Sequence, residues 1–356
     1  MKSISYVLGT ALLLVFTSCS SVDENKASEN DNADQSRRYD QLLSEYTSQY
    51  APLPEKAINE ANPANPAKIK LGHMLYYDTR LSLTGNNSCN SCHNLKTYGV
   101  DNLATSPGDL GELGDRNSPT TLNAALHTTQ FWDGRAADVE EQAGGPLLNP
   151  VEMNIPSKSF MEQRLKEIDA YVSLFAEAFP EEATPISYEN IQKAIGAFER
   201  ELLTPARIDS YLKGDKDALS LREKKGMLSF NLIGCNTCHN GALFGGNQFQ
   251  RFGVFKPYWE ATGSTNIDRG IAAITDEELD EYMFKVPTLR NVTETHPYFH
   301  DGSVKDLSTA VKIMADVQLD YQMTSEEVKN VVAFLEALKG EVPEQYQINP
   351  LASSDL

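Results

Sequence analysis

Two heptapeptides hold four of the chain's five cysteines: SCNSCHN at 88–94 and GCNTCHN at 234–240. Each sets two thiols two residues apart and follows the second with histidine. Such a group can hold zinc, run thiol–disulfide exchange or bind a haem covalently. Zinc takes four ligands around one ion, and zinc ribbons keep their two Cys pairs ~15–20 residues apart, whereas these lie roughly 150 apart. A distant pairing would need an unusual fold. A thioredoxin-like centre wants a βαβ setting, which the sequence lacks, and has no use for the histidine. Haem attachment uses every residue. Two thiols add to the two vinyl groups of one macrocycle, and the two-residue spacer brings both sulfurs to the same edge. The next residue on that helical turn then reaches the iron. The motifs therefore predict two covalently bound c-type haems, on Cys89/Cys92 and Cys235/Cys238, with His93 and His239 as proximal ligands.

The fifth cysteine, Cys19, ends an export signal. Lys2 supplies a positive start, and Ile4 to Phe16 is a mostly apolar run of 13 residues. That is too short to span a membrane as a helix and has the length of a signal-peptide core. Thr17 and Ser18 then lead to Cys19, an arrangement that resembles a bacterial lipoprotein signal. Residues 1–18 are expected to be removed and Cys19 lipidated, giving a periplasmic protein anchored to a membrane by lipid alone. No cysteine is left for a structural disulfide, although the compartment would permit one. The next stretch, SSVDENKASENDNADQS, is polar and acidic without apolar period, so residues 19–45 are expected to be a disordered tether.

The 356-residue chain is 40% hydrophobic and 23% charged, as suits a soluble protein with a substantial core. With 31 basic against 50 acidic residues its net charge is −19, which repels nucleic acid and is compatible with a small basic protein partner.

The elements that must position the motifs are helical. In TSEEVKNVVAFLEALKG (324–340), Thr324 and Glu327 form a capping box, Val328, Val331, Leu335 and Leu338 share a face, and Gly340 closes the helix. A second capping box, Ser220 to Glu223, opens SLREKKGMLSFNLI just before the second Cys pair. SYENIQKAIGAFERELL (187–203) is a third helix, stopped near Pro205. Alternating strand patterns are scarce, so the fold is expected to be mainly α. MLYYD ahead of CNSCHN is echoed by MLSFN ahead of CNTCHN. The echo predicts two tandem class I cytochrome c-like domains with one covalent haem each: an N-terminal haem domain over 46–205, a C-terminal one over 206–345, and a tail at 346–356.

Four longer stretches add a resemblance: LGHMLYYDTRLS, RNSPTTLNAALHTTQFWDGRAADVEEQAGGPLLNPVEMN, FKVPTLRNVTETHPYFHDGSV and VKIMADVQL. From about residue 68 to residue 345 the chain resembles the bacterial diheme cytochrome c peroxidases and their methylamine-utilisation relatives. The resemblance implies that Met314 is the sixth ligand of the second haem, where the residues alone would suggest a core methionine. It places Trp132 of FWDGRA between the haems, and Glu152 and Gln142 on the distal side of the N-terminal, peroxidatic one. A carboxylate there can carry the proton that shifts between the peroxide oxygens as the O–O bond breaks. Asn117, Thr295 and Pro297 match oxygen donors that hold a calcium ion between the family's domains. His300 of PYFHDG matches a position near the domain interface and reads as structural, and His73, His127 and His296 read as surface or satisfied core residues.

One position departs from the pattern. Many family peroxidases cap the oxidised peroxidatic haem with a loop histidine, which leaves when the other haem is reduced. Aligned on RNSPT, that position here is Asp109, and the loop TSPGDLGELGDRNSPT holds no histidine. Carboxylates are weak haem ligands beside imidazole, so this iron is expected to be open or water-bound without reductive activation.

The implied reaction is reduction of hydrogen peroxide to water. Electrons from a small donor protein, a cytochrome c or copper protein, would enter at the His239/Met314 haem and pass by Trp132 to the His93 haem. A second reading is oxidation of a partner protein, as in the methylamine-utilisation relatives, but those carry tyrosine where this chain has Met314. A third, a diheme electron carrier or redox sensor, leaves Glu152 and Gln142 without a role. Members of the family often form homodimers.

Overall fold

A computed structural model describes residues 23–352. The expected signal peptide (1–18) and lipidated Cys19 lie outside the described residues. The helices in chain order are α1 (Asp23–Leu43), α2 (Pro66–Tyr77), α3 (Cys89–Cys92), α4 (Val139–Leu148), α5 (Lys158–Lys166), α6 (Asp169–Ala178) and α7 (Tyr188–Glu199). There follow α8 (Arg207–Leu212), α9 (Leu221–Ile233), α10 (Tyr258–Thr262), α11 (Ala272–Thr275), α12 (Leu307–Leu319) and α13 (Ser325–Glu336). Two three-residue strands, β1 (Phe249–Arg251) and β2 (Met283–Lys285), pair antiparallel with Gln250 opposite Phe284. The fold is mainly α, as the scarcity of alternating patterns predicts.

Local chemistry sets the long helices. Asn65 caps α2 by accepting from the Lys68 amide, with Pro66 in the first turn, where its missing N–H costs nothing. Both expected capping boxes are present, Ser220/Glu223 on α9 and Thr324/Glu327 on α13. Gly340, however, does not close α13, which stops at Glu336. A Cβ on Gly340 would lie 2.3 Å from the Thr204 carbonyl oxygen, so glycine is needed there for close backbone approach.

The two halves repeat one crossing. Where α2 meets α7, a Cβ on Gly72 would lie 1.9 Å from the Ala194 carbonyl oxygen and 2.8 Å from Phe198 Cβ. Where α9 meets α13, a Cβ on Gly226 would lie 1.8 Å from the Asn330 carbonyl oxygen and 2.8 Å from Phe334 Cβ. In each half, then, the helix ahead of a Cys-x-x-Cys-His motif crosses a later helix backbone to backbone, through a glycine. Separate cores form around the crossings. Leu71, Leu75, Leu147, Phe175, Ile191 and Ile195 fill the first, and Tyr211, Met227, Phe230, Val331, Phe334 and Leu338 the second.

The termini depart from expectation, and they do so reciprocally. The stretch expected to be a disordered tether is helical over Asp23–Leu43, and its C-terminal end docks on the second half. The buried Lys224 ammonium donates to Ser36 (2.6 Å) and Asp40 (2.9 Å), the Tyr211 hydroxyl donates to Asp40, and Leu43 is buried in the second core. Lys224 is buried only with that carboxylate beside it, because an unpaired buried cation is costly. The tether's polar composition conceals this partner, which lies far away in sequence. Tyr50 continues the contact, stacking on Phe244 at 4.5 Å and donating to Asn231. Ser36 to Leu53 thus pack on the second half, not on the N-terminal unit to which 46–53 were assigned. Conversely Val342, Tyr346 and Leu351, the last two from the expected tail, pack with Tyr76, Tyr77, Leu95 and Phe198 of the first half.

Candidate active site

The two thiol motifs share one local geometry. In the first, Cys89–Cys92 form a single helical turn, and the His93 amide donates to the Cys89 carbonyl at 2.9 Å. In the second, Cys235–Thr237 form a short 3₁₀ turn, and the His239 amide donates to the Cys235 carbonyl at 3.0 Å. Each turn brings two thiols and an imidazole to one side. None of the four thiols is in a disulfide. Burial pushes Cys92 up to about 11 and Cys235 up to about 12, and raises Cys89 further. A redox or zinc centre works through thiolates, which this burial suppresses. Among the described residues no cluster of three or more His, Cys, Asp or Glu side chains could hold a metal ion, so the two Cys pairs do not converge on a zinc site.

The imidazoles are set up as neutral ligands. His239 Nδ1 lies 3.0 Å from the Phe244 carbonyl oxygen, a contact that assigns the proton to Nδ1 and leaves the Nε2 lone pair for a metal. Burial lowers the pKa of His239 to about 4. Burial likewise lowers that of His93, with Asp101 opposing, and His93 Nδ1 is buried without a hydrogen-bond partner. The Tyr76 hydroxyl donates to the His93 carbonyl at 2.6 Å and fixes the end of the turn. Met314 is half-buried on α12. Adjacent unpaired thiols and a neutral imidazole one residue on suit covalent haem.

Glu152 sits on the turn that follows α4, where Asn149 caps the helix end. Its carboxylate accepts from Asn149 Nδ2 at 2.6 Å. Burial raises its pKa, against the hydrogen bond from Asn149 and the charge of Arg135. Its charge is also felt at the Cys92 thiol, so it lies toward the first motif. Arg135 is held by Asp133 at 2.9 Å and lies over the Phe131 ring. Gln142 is half-buried on α4, one turn before Pro146.

Asp109 is buried and fully engaged. Its carboxylate accepts from the Thr84 amide (2.8 Å), the Thr84 hydroxyl (2.9 Å) and the Asn86 amide (3.2 Å). Burial pushes its pKa up, but hydrogen bonds from Ser82, Thr84 and Asn86 more than offset this and hold it below the usual carboxylate value. Iron ligation would break those bonds.

Trp132 Nε1 donates to the Asn117 carbonyl at 2.9 Å, and its ring meets the buried His300 edge to face at 6.4 Å. The Asn117 amide donates to the His300 carbonyl, and Asn117 Nδ2 donates to Leu103 and Ala104, so Asn117 ties the 103–104 turn to the 295–300 segment of Thr295 and Pro297. His127, expected at the surface or as a satisfied core residue, lies 3.1 Å from the buried Lys285 ammonium through Nδ1, while its Nε2 lacks a partner. His73 is not a surface residue either; it is stacked on Phe198 at 4.8 Å. His296 is exposed.

Sequence reading missed Asn149, Arg135 and Lys285. Asn149 stands directly before PVEMN and Arg135 inside FWDGRA, a signal that was there to use. Lys285 had none, because its partners Thr129 and His127 are distant in the chain.

Residues 66–217 match a family model described as di-haem cytochrome c peroxidase. Over 317 residues the chain is 42% identical to cytochrome c551 peroxidase of Pseudomonas aeruginosa, covering 88% of this chain and 91% of that one. It is 33% identical over 294 residues to the methylamine utilization protein MauG of Methylorubrum extorquens, covering 79% and 81%. Among solved structures, a MauG-like protein associated with microbial copper homeostasis is similar with a TM-score of 0.74 at 28% identity, over 84% of this chain and 97% of that one. With the shared helical fold, the paired motifs and identity along nearly the whole chain, this protein belongs to the di-haem cytochrome c peroxidase family.

Proposed function

We propose that this protein reduces hydrogen peroxide to water with electrons from a small donor protein, a cytochrome c or copper protein. The observation that carries the reading is Glu152: a half-buried carboxylate of raised pKa, held by Asn149, whose charge is felt at the Cys92 thiol of the first motif. Cys89, Cys92 and His93 would hold one haem, and Cys235, Cys238, His239 and Met314 the other, in two tandem class I cytochrome c-like units. When bound, the haems supply a peroxide-binding iron and a store for one of the two electrons, the thioether-ligated one at higher potential. The protein's part is proton handling and positioning. Glu152 takes a proton from one peroxide oxygen and returns it to the other, and its raised pKa keeps it exchangeable nearer neutrality. Gln142 would serve as a hydrogen-bonding partner for peroxide. Trp132 stands between the halves as the electron path, anchored through Asn117.

Asn117, Thr295 and Pro297 would offer calcium backbone or side-chain oxygens, donors that this hard cation prefers. Export, the lipid on Cys19, the periplasmic location and a homodimer complete the proposal, which rests there on the N-terminal pattern and the family. Protein oxidation of the methylamine-utilisation type is the lesser reading, because Met314 stands where those relatives carry tyrosine.

The test follows oxidation of a pre-reduced small cytochrome c by peroxide in the presence of the holoprotein. Wild-type protein turns over, whereas Glu152→Gln keeps both haems by pyridine haemochrome absorbance and loses most turnover. Unchanged turnover would remove Glu152 from the mechanism, and none in the wild type would sink the peroxidase reading.

A further inference from the structure

Tyr76 donates its hydroxyl to the carbonyl of His93, the residue that would hold the first iron, and from there aromatic rings run outward without a gap. Tyr76 meets Tyr77 at 5.8 Å between centroids, Tyr77 meets His73 at 5.4 Å, and His73 meets Tyr346 at 5.5 Å. Phe198 braces the array, stacked on His73 at 4.8 Å and edge-on to Tyr76 and Tyr346, each at 5.2 Å. The Tyr77 hydroxyl donates to the Tyr346 carbonyl at 2.8 Å, which ties the C-terminal segment to the array. Tyr76 is fully buried and Tyr346 half-buried, so the ladder leads from the first motif to the surface. At its outer end the Tyr346 hydroxyl faces Glu201 Oε2 at 3.4 Å. A phenol oxidised by one electron becomes strongly acidic, and a carboxylate in hydrogen-bond reach is the acceptor its proton needs. Packing alone requires neither three tyrosines in sequence nor a carboxylate at the exposed end.

We propose that Tyr76, Tyr77, His73 and Tyr346 form a one-electron outlet from the first haem site, ending at Tyr346, where small phenols are oxidised when the donor protein is absent. The inference rests on the peroxidase reading above. Hydrogen peroxide is the oxidant, and its reduction to two waters takes two electrons and two protons. An electron that the donor does not supply moves inward from Tyr346 along the ladder. The Tyr346 phenolic proton crosses to Glu201, leaving a neutral tyrosyl radical and a carboxylic acid. A small phenol then gives a hydrogen atom to Tyr346 and leaves as a phenoxyl radical, while Glu201 returns its proton to solvent. Two such passes, with one phenol each, supply the two electrons and two protons that one peroxide takes.

The test adds peroxide to the fully oxidised holoprotein without donor, in the presence of a nitroso spin trap, and maps adducts by peptide mass spectrometry. Peroxide loss is followed in the same tube. Wild-type protein should carry the adduct on Tyr346. Tyr346→Phe should lose it while keeping donor-driven turnover, and Tyr77→Phe, which keeps the ring but removes a redox-active phenol, should deplete it. Peroxide consumed with Tyr346 unlabelled overturns the outlet while leaving the peroxidase reading intact. So does an undiminished Tyr346 adduct in Tyr77→Phe, or labelling at Trp259, which would send the electrons through Trp132, His300 and Tyr258. No peroxide loss at all overturns both readings together.

Discussion

The backbone amide of Asp109 donates to the carbonyl of Glu152 at 2.7 Å, so the 107–113 loop and the Glu152 turn are one clamped unit. The fit is close enough that a Cβ on Gly108 would lie 1.9 Å from the Val151 carbonyl oxygen. The Asp109 carboxylate is committed to Thr84 and Asn86 and is not free to ligate an iron. The fully oxidised holoprotein should therefore react with peroxide without prior reduction. Stopped-flow mixing should give a rapid Soret shift in the wild type. A reaction that waits for one added electron would mean that another group caps the iron.

Glu152 and Arg135 make a pH prediction. Burial raises the Glu152 pKa and Arg135 opposes that rise. If the carboxylate form is the working base, turnover falls as the pH drops through that raised value. Removing the Arg135 cation raises it further, so Arg135→Gln should move the acid limb of the kcat/KM profile to higher pH. A limb that stays put, or moves down, would mean that Glu152 is not the titrating group.

The paired crossings should fail alike. Gly72→Ala and Gly226→Ala each drive a methyl into a carbonyl oxygen of the crossing helix, at 1.9 Å and 1.8 Å. Neither helix backbone can yield without opening its core, so each variant should lose about 3 kcal/mol in urea unfolding of the holoprotein. A Gly226→Ala protein of wild-type stability would mean that α9 and α13 do not cross this closely.

Glu199 gives stability a pH dependence. The residue is 4% exposed on α7, and burial, then the neighbouring Glu140 charge, raise its pKa to about 8, with Arg200 opposing. The unfolded chain releases this proton near 4.5, so from there to about pH 8 the folded state holds a proton that the unfolded state lacks. Its contribution is therefore full below the unfolded pKa and is lost as pH rises toward the folded one. Glu199→Gln should flatten that slope and stabilise the protein at pH 8 by roughly 2–4 kcal/mol relative to wild type. Equal urea midpoints for the two proteins at pH 5 and pH 8 would exclude a neutral Glu199.

Local signals were legible because they act over one helical turn. The capping boxes of α9 and α13, and the turn that joins each Cys-x-x-Cys to its histidine, depend on residues three or four apart, which any reader of the chain can pair. The buried face Val328, Val331, Leu335 and Leu338 is likewise a matter of period. The same logic misjudged Gly340, whose place at the end of an apolar helical period looks like helix termination only until the Thr204 carbonyl is seen against it.

The chain by itself thus determined the mainly helical class and the two thiol motifs, and through its family resemblance it named the candidate acid at Glu152. Tertiary structure alone decided where α1 goes, because Lys224 and Tyr211 that hold it lie about 180 residues downstream, and a polar segment is ordered only where such partners meet it. It decided the fate of Asp109 too, since occupied lone pairs cannot be read from a residue's type. And it decided that His73, Tyr77 and Tyr346 touch at all. Ring contacts between a helix and a C-terminal segment follow from how the chain closes on itself, and no spacing along the sequence encodes that.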